Sequence, residues 1–413
     1  MQRVKQLFKS LLPGIFLFGF TVGTGSVTAM AKAGADYGMS LLWTIFLSCL
    51  ITFFLIQLFG KYTLVTGETA LASFKKHIHP AVAIFFLVTL TAHVCGSVIG
   101  VMGIIVDVCY EWSKQFISGG ISPIYFALFF ILFVYVIFLV GRTELFKNIL
   151  AVVVGVMAIC FLINFIILTP PLIQLAHGMI PNVPTTGANA SAFLVIASMV
   201  GTTVFSGLFI LRTTLVKEAG WTMADLKKQR KDAMFSGLLM FVISASIMAA
   251  AAGTLHVQGI TLQNVSEMIN ILEPLAGSFA VAIFTFGLIA AGISSQFPNV
   301  ALLPWMLDDY HERSADMTRT DYRLIVLAIS LLGLVVPIFH AKPIAVMITS
   351  QAFGALVLPA TIACIIYLGN QAELMKANKF SNFTNIVLAI IFAFALIMSY
   401  LSFQGILASL KSL

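Results

Sequence analysis

Long runs of apolar residues, separated by short polar loops, recur along the whole chain. Each run is long enough to cross the roughly 30 Å hydrocarbon core of a bilayer as a helix, and the runs lack the period-2 alternation of barrel strands. Because unpaired backbone groups are costly in lipid, the runs predict transmembrane α-helices. Eleven spans are predicted, at about 11–33, 38–60, 81–106, 121–140, 146–168, 191–215, 233–253, 276–303, 323–338, 343–368 and 383–402.

The basic residues lie mainly on one side of these spans. With a cytoplasmic N-terminus, 18 of the 23 Lys and Arg residues precede the first span or fall in inner loops, and two lie within spans. Only Lys114, Lys342 and Lys411 fall outside. This bias predicts a multi-pass protein of the plasma (inner) membrane with its N-terminus in the cytoplasm and its C-terminus outside.

The composition narrows the class of protein further. With 60% hydrophobic and 9% charged residues, we expect a single transmembrane domain over 1–413 that contacts lipid on all sides. The net charge of +7 follows from the topology, so no nucleic-acid partner is expected. Neither a nucleophile–base pair nor a glycine-rich ATP-binding loop is present, so we expect no enzyme, no cofactor and no ATP-driven pump. The expected protein is a monomer whose partner is a small solute or ion.

Two spans, five apart, are interrupted by glycine at similar depth. The first contains Gly23-Thr24-Gly25-Ser26, and the sixth contains Val204-Phe205-Ser206-Gly207. Such pairs are typical of inverted repeats, whose broken helices form a site at the membrane midplane; the alternative is that small residues only allow close helix packing. We expect repeats at about 11–168 and 191–368, an extra helix at about 383–402, and a cavity between two segments that both leave helical geometry.

Several motifs resemble those of the Nramp family of divalent-metal transporters. The motifs are Pro13-Gly14, the run from Ala33 to Trp43, Val65-Thr66-Gly67-Glu68, Gly201-Thr202-Thr203-Val204, the run from Gly287 to Ser295, and Gln351 before Pro359. The resemblance covers about 11–368. It implies a LeuT-like fold of five plus five helices with helices one and six broken, and it implies transport of divalent cations.

The ligand positions depart from the family pattern. Gly23-Thr24-Gly25-Ser26 stands where the family has Asp-Pro-Gly-Asn, and Phe205-Ser206-Gly207 stands where it has Met-Pro-His. Arg212 replaces a second histidine, and the third span carries His93 but no acid. Transition metals require carboxylate, imidazole or sulfur donors, so these residues do not favour Mn²⁺ or Fe²⁺ as the substrate.

Three functions therefore remain open. The first is transport of a largely hydrated, Mg²⁺-like ion held through water by backbone carbonyls, Thr24, Ser26 and Gln351. The second is transport of a small organic zwitterion or anion such as an amino acid, sodium-coupled or uncoupled, with its carboxylate on the N–H groups of 23–26 and Phe205 capping the pocket. The third is a membrane sensor that does not transport.

The candidate site residues fall into three groups. Ser294 and Ser295 are candidates for a cation site or for hydrogen bonding between helices. Lys32, Asp36, His93 and Arg212 are candidates for gating because ionisable residues in spans are costly; snorkelling of Lys32 and packing of His93 are the alternatives. The candidate substrate-binding residues are Gly23, Thr24, Gly25, Ser26, Val204, Phe205, Ser206, Gly207 and Gln351.

Overall fold

The computed structural model describes residues 22–114, 116–140, 172–184, 189–269, 280–313 and 319–411, together with most of 152–167. Over these residues the chain forms helices and no β-strand, which confirms the all-α prediction. The first part of the first predicted span, parts of the fifth and the first residues of the eighth lie outside the described residues.

The longer helices are labelled in chain order. They are α1 Thr24–Tyr37, α2 Leu42–Thr66, α3 Pro80–Ser113, α4 Pro123–Val140, α5 Asn189–Thr203, α6 Ser206–Glu218, α7 Leu226–Ala251, α8 Ala280–Tyr310, α9 Thr320–Leu331, α10 Pro343–Asn370 and α11 Asn382–Lys411. Short helices at Ala70–Ser73, Leu172–Gly178, Val265–Ile269, Val335–Phe339 and Ala372–Met375 connect them.

The helices agree with the predicted spans. Eight stretches of described helix are long and apolar enough to cross a membrane, and they coincide with predicted spans two, three and six to eleven. The fourth predicted span corresponds to α4, an apolar helix of 18 residues. A multi-pass membrane protein is therefore confirmed.

Proline and glycine set several helix boundaries. α3 and α10 begin with Pro80 and Pro343, at the first helical position, where the missing N–H has no helical partner to lose. α2 ends at Gly67, whose φ of 71° lies in the left-handed region and whose N–H donates to the Thr63 carbonyl at 2.8 Å. A glycine adopts this C-cap conformation without the steric cost that a side chain would bring.

The interrupted pair α5–α6 occupies the centre of the bundle. In the most apolar stretch of this pair, 94% of the residues are buried inside the protein, whereas in the most apolar stretch of α11 only 28% are buried. α5 packs against α1, α10 and α11, and α3 packs against α8 and α10. α11 instead leaves large apolar side chains such as Phe383 and Ile390 exposed, as expected for a helix in contact with lipid. The centre of the molecule is therefore enclosed by α1, α3, α5, α6, α8 and α10.

Candidate functional site

The sixth predicted span is broken in its middle. α5 ends at Thr203, Val204 and Phe205 are not helical, and α6 begins at Ser206. Phe205 is extended, with φ −79° and ψ 121°. The break leaves the carbonyl of Thr203 without a helical donor, and Thr52 of α2 donates its hydroxyl to that carbonyl at 2.8 Å. Thus a neighbouring helix satisfies part of the backbone that the break exposes.

The first predicted span has helical geometry only from Thr24 onward. Gly23 is extended, with φ −101° and ψ −167°, and its carbonyl accepts from the Val27 N–H at 3.0 Å. The expectation that all of 23–26 and 204–207 leave helical geometry is wrong, because Thr24 to Ser26 form the first turn of α1 and Ser206 to Gly207 the first turn of α6. Each helix start still presents N–H groups that lack helical partners.

A cavity of about 30 Å³ lies between the start of α1 and Phe205 in the break. Side chains and backbone from α1, α3, α5, α8 and α10 line it, together with Phe205 from the break. The lining residues are Gly23, Gly25, Ser26, His93, Ser97, Val101, Thr202, Phe205, Ser295, Asn299 and Gln351.

Seven of the predicted residues meet in this cavity, namely Gly23, Gly25, Ser26, His93, Phe205, Ser295 and Gln351. The other candidates lie elsewhere. Ser206 accepts a hydrogen bond from Thr361 at 2.6 Å, and Ser294 donates to the carbonyl of Ala291 in its own helix at 2.9 Å. Thr24, Val204, Ser206, Gly207 and Ser294 do not line the cavity.

Two glycines allow the close contacts around the cavity. A Cβ atom on Gly23 would lie 1.6 Å from the Ser295 hydroxyl oxygen, so α1 and α8 touch only because that atom is absent. A Cβ atom on Gly207 would lie 2.5 Å from the Phe205 ring. Gly207 therefore acts indirectly, by leaving room for the ring that forms one wall of the cavity.

His93 and Phe205 form that wall together. Their rings are stacked, with centroids 4.6 Å apart and an angle of 27° between planes. His93 is buried, and its Nδ1 atom has no hydrogen-bond partner among the described residues. This nitrogen is therefore an unpaired polar atom in a residue that lines the cavity.

The cavity also contains residues that sequence reasoning missed: Ser97, Thr202 and Asn299. The Asn299 amide nitrogen donates to the Ser97 hydroxyl oxygen at 3.1 Å, and the Gln351 amide nitrogen lies 3.4 Å from the same oxygen. A signal was present in the sequence, because Ser97 follows His93 by four residues and Asn299 follows Ser295 by four. Residues four apart share a helix face.

The donors around the cavity are neutral. No carboxylate lines it, and no group of three acidic, histidine or cysteine residues suited to a metal occurs in the described part of the chain. A volume of about 30 Å³ holds roughly two water molecules. The cavity therefore offers a bound ion oxygen and nitrogen donors but no counter-charge.

The C-terminal end of α1, on the side that the basic residues predict to be outer, is clamped to the loop after α7. The Lys32 Nζ atom lies 2.8 Å from the Asp36 carboxylate and donates to the Leu262 carbonyl at 2.8 Å. The Leu262 N–H donates to Asp36 at 3.0 Å. We call these three residues the outer clamp.

Arg212 of α6 forms an ion pair with Asp232 of α7, with 2.5 Å between Nη1 and Oδ2. Both side chains are fully buried, and the Arg212 guanidinium also lies 5.5 Å from the Trp221 ring. The sequence analysis gave Arg212 no partner, and the structure shows that its partner is Asp232. Since a buried charge is tolerated only when paired, each residue requires the other.

A second cavity, of about 430 Å³, lies between the ends of α6 and α8. Asp308 and Asp309 of α8 line it together with Glu68 and Lys76. Asp308 accepts from Arg319 at 3.0 Å, and Thr69 donates to Asp309. The first contact joins the end of α8 to the start of α9, and the second joins it to the segment after α2. Both lie on the side that the basic residues predict to be cytoplasmic.

A broken central helix pair, a polar cavity at the break and an apolar exterior define a helical membrane transporter. The sequence model described as "Natural resistance-associated macrophage protein-like" matches residues 15–404. The chain therefore belongs to the Nramp family, as the motifs predicted.

The relatives extend over much of the chain at low identity. The divalent metal cation transporter MntH of Caldanaerobacter subterraneus subsp. tengcongensis is 23% identical over 425 residues, which is 97% of this chain and 95% of that protein. The protein of the same name from Clostridium acetobutylicum is 24% identical over 263 residues, which is 60% of this chain and 58% of that protein.

Solved structures confirm the LeuT-like fold. The manganese transporter of Eremococcus coleocola superposes with a TM-score of 0.76 at 18% identity, over 96% of this chain and 86% of that one. Mhp1, a nucleobase-cation-symport-1 family transporter, superposes with a TM-score of 0.60 at 12% identity, over 97% and 90% of the two chains.

Proposed function

We propose that this chain is a secondary-active transporter of divalent metal cations, which it binds in the 30 Å³ cavity. The observation that carries the proposal is the cavity itself, where polar groups of five helices meet at an interrupted helix in a member of the Nramp family. Named relatives that are divalent metal cation transporters support the choice of substrate.

The donor set consists mainly of neutral oxygen atoms, which are compatible with hard divalent ions. Hydroxyl and amide oxygens come from Ser26, Thr202, Asn299 and Gln351, and His93 adds a nitrogen. Carbonyl oxygens and water suit Mg²⁺, Ca²⁺ and Mn²⁺. Because none of these groups is charged, we expect binding to be weak and the ion to keep part of its water shell.

Two contacts at opposite ends of the site fit alternating access. The outer clamp ties α1 to the loop after α7, and the Arg212–Asp232 pair ties α6 to α7. We propose that the outer clamp opens to admit the ion and that movement of α6 against α7 and α8 releases it on the other side. The distribution of basic residues supports an N-terminus in the cytoplasm and insertion in the plasma (inner) membrane.

Flux into proteoliposomes tests this function. The purified chain should take up Mn²⁺ and Mg²⁺, and Ser26→Val should abolish uptake because its larger side chain fills the cavity. Ser294→Val is the matched control, since Ser294 lies outside the cavity. Uptake of amino acids without uptake of any divalent cation would refute the proposal.

A further inference from the structure

Ser97 of α3 stands between two amide side chains that come from other helices. Its hydroxyl oxygen accepts from the Asn299 amide nitrogen of α8 at 3.1 Å and lies 3.4 Å from the Gln351 amide nitrogen of α10. All three side chains are 5% exposed and line the cavity. One hydroxyl group therefore links the third, eighth and tenth spans at the site.

The orientation of the Gln351 amide is fixed by a second contact. Its nitrogen also lies 3.3 Å from the sulfur of Met347, one turn earlier on α10. A thioether sulfur accepts hydrogen bonds and donates none. Turning the amide over would place its oxygen against that sulfur, which has no proton to donate, so the nitrogen faces Met347 and, beside it, Ser97.

The two amide oxygens are left without protein donors. An amide nitrogen carries two N–H groups, and those of Gln351 are directed at Ser97 and Met347. Across the part of the chain that the structure describes, no group donates to the side-chain oxygens of Asn299 or Gln351. Both residues line the cavity, so these oxygens are the groups they have available for a ligand there.

We propose that Ser97 is a positioning residue: it holds the amide nitrogens of Asn299 and Gln351 and thereby turns two carbonyl oxygens toward the cation. This rests on the proposed function and gives a structural reason for a preference for hard divalent cations. Amide oxygens suit such ions, whereas soft ions such as Cd²⁺ favour sulfur. The sulfur of Met347 accepts from Gln351 and does not line the cavity.

Three variants separate positioning from stability. Ser97→Ala removes the shared acceptor, and we expect the KM for Mn²⁺ uptake to rise about tenfold, with a smaller change in maximal rate, because the amides lose a fixed orientation. Ser97→Thr keeps the hydroxyl and should restore the KM. Met347→Leu preserves volume but removes the second acceptor, so the Gln351 amide is no longer held with its oxygen toward the ion. We expect the KM for Mn²⁺ uptake to rise. Because a hard oxygen donor is lost, the ratio of Cd²⁺ to Mn²⁺ uptake should rise as well.

Binding and flux are measured in parallel, with Mn²⁺ binding read from the rise in thermal stability of the purified chain. Ser402→Ala, which removes a buried hydroxyl bonded to the Ala352 carbonyl, controls for a general loss of stability. Ser97→Ala with unchanged KM and binding overturns the inference alone. If Mn²⁺ binding depends on Ser97 but no Mn²⁺ flux is measured, the result supports the inference and overturns the transport function. Absence of any divalent-cation binding by the unmodified chain overturns both.

Discussion

Lys32 and Asp36 lie one turn apart on α1 and both bind the backbone of Leu262, Lys32 at the carbonyl and Asp36 at the N–H. The ion pair between them, at 2.8 Å and about one-tenth exposed, holds both side chains in place for that contact. The loop after α7 is thereby attached to the same helix whose opposite end forms the cavity.

Breaking the outer clamp should open the cavity toward the outside. Lys32→Met removes the ion pair and one backbone contact, together worth about 1–2 kcal/mol, so the open state should rise at least about fivefold in population. The measurement is the rate at which a membrane-impermeant thiol reagent modifies Ser295→Cys from the outer side, on a background without the native cysteines. Lys342→Met is the control, because it removes a lysine and leaves the outer clamp intact. Equal modification rates for Ser295→Cys alone, with Lys32→Met and with Lys342→Met would contradict a gating role.

The buried pair Arg212–Asp232 should behave as a unit. Asp232→Asn leaves a fully buried guanidinium without its counter-charge, and we expect a loss of about 3–5 kcal/mol in unfolding free energy. The double variant Arg212→Met/Asp232→Leu replaces the pair with apolar side chains and should recover most of that loss. Unfolding in detergent checks this, and a single-variant loss below about 1 kcal/mol would show that the pair is not required.

The contact between Gly23 and Ser295 can be tested by second-site rescue. Gly23→Ala places a methyl group 1.6 Å from the Ser295 hydroxyl oxygen and 2.8 Å from its Cβ, so it should impair uptake and lower stability. Gly23→Ala/Ser295→Gly removes both clashing atoms and should restore stability. Gly23→Ala/Ser295→Ala removes only the hydroxyl and should rescue less. The measurements are thermal stability and Mn²⁺ uptake, and rescue by neither partner change would place the defect elsewhere.

Glu68, just after α2, should contribute stability that depends on pH. Burial raises the pKa of Glu68, but hydrogen bonds from Lys76 and His77 and their positive charges outweigh it, so the pKa lies below its usual value. Such a carboxylate stabilises the fold above its unfolded pKa, and its contribution disappears as pH falls through the folded pKa. Glu68→Gln should therefore lower Tm at pH 7, and the difference from the unmodified chain should shrink below about pH 4.

The matched control for this titration is Glu373→Gln, because Glu373 forms no ion pair within the described ranges. It should leave Tm unchanged at both pH values. A Tm difference for Glu68→Gln that grows as pH falls would contradict the lowered pKa.

The spans and the break in the sixth helix were predictable because lipid imposes strong rules. Long apolar runs must form helices in a membrane, and Gly201 to Gly207 marked the region of the break. The glycines did not mark the broken residues themselves: Val204 and Phe205 are non-helical, while Gly207 makes room for a ring. Composition locates such a region, whereas packing against neighbouring helices decides which peptide leaves the helix.

The cavity wall was predicted less completely. Ser294 and Ser295 were treated as a pair, although neighbours in a helix differ by about 100° in direction, and only Ser295 lines the cavity. Asn299 and Ser97 lie in apolar helices where a polar residue also serves packing between helices. Their role depends on which helices meet, and that is a property of the tertiary structure.

The neutral wall of the cavity has an electrical consequence. No carboxylate that could carry a counter-moving proton lies along its described lining. Under the proposed function, a divalent cation that crosses alone carries two elementary charges through the membrane field. At 100 mV that transfer amounts to about 4.6 kcal/mol, which supports roughly a 2,000-fold concentration ratio. Voltage across the membrane could thus drive accumulation of the ion without the exchange of a proton.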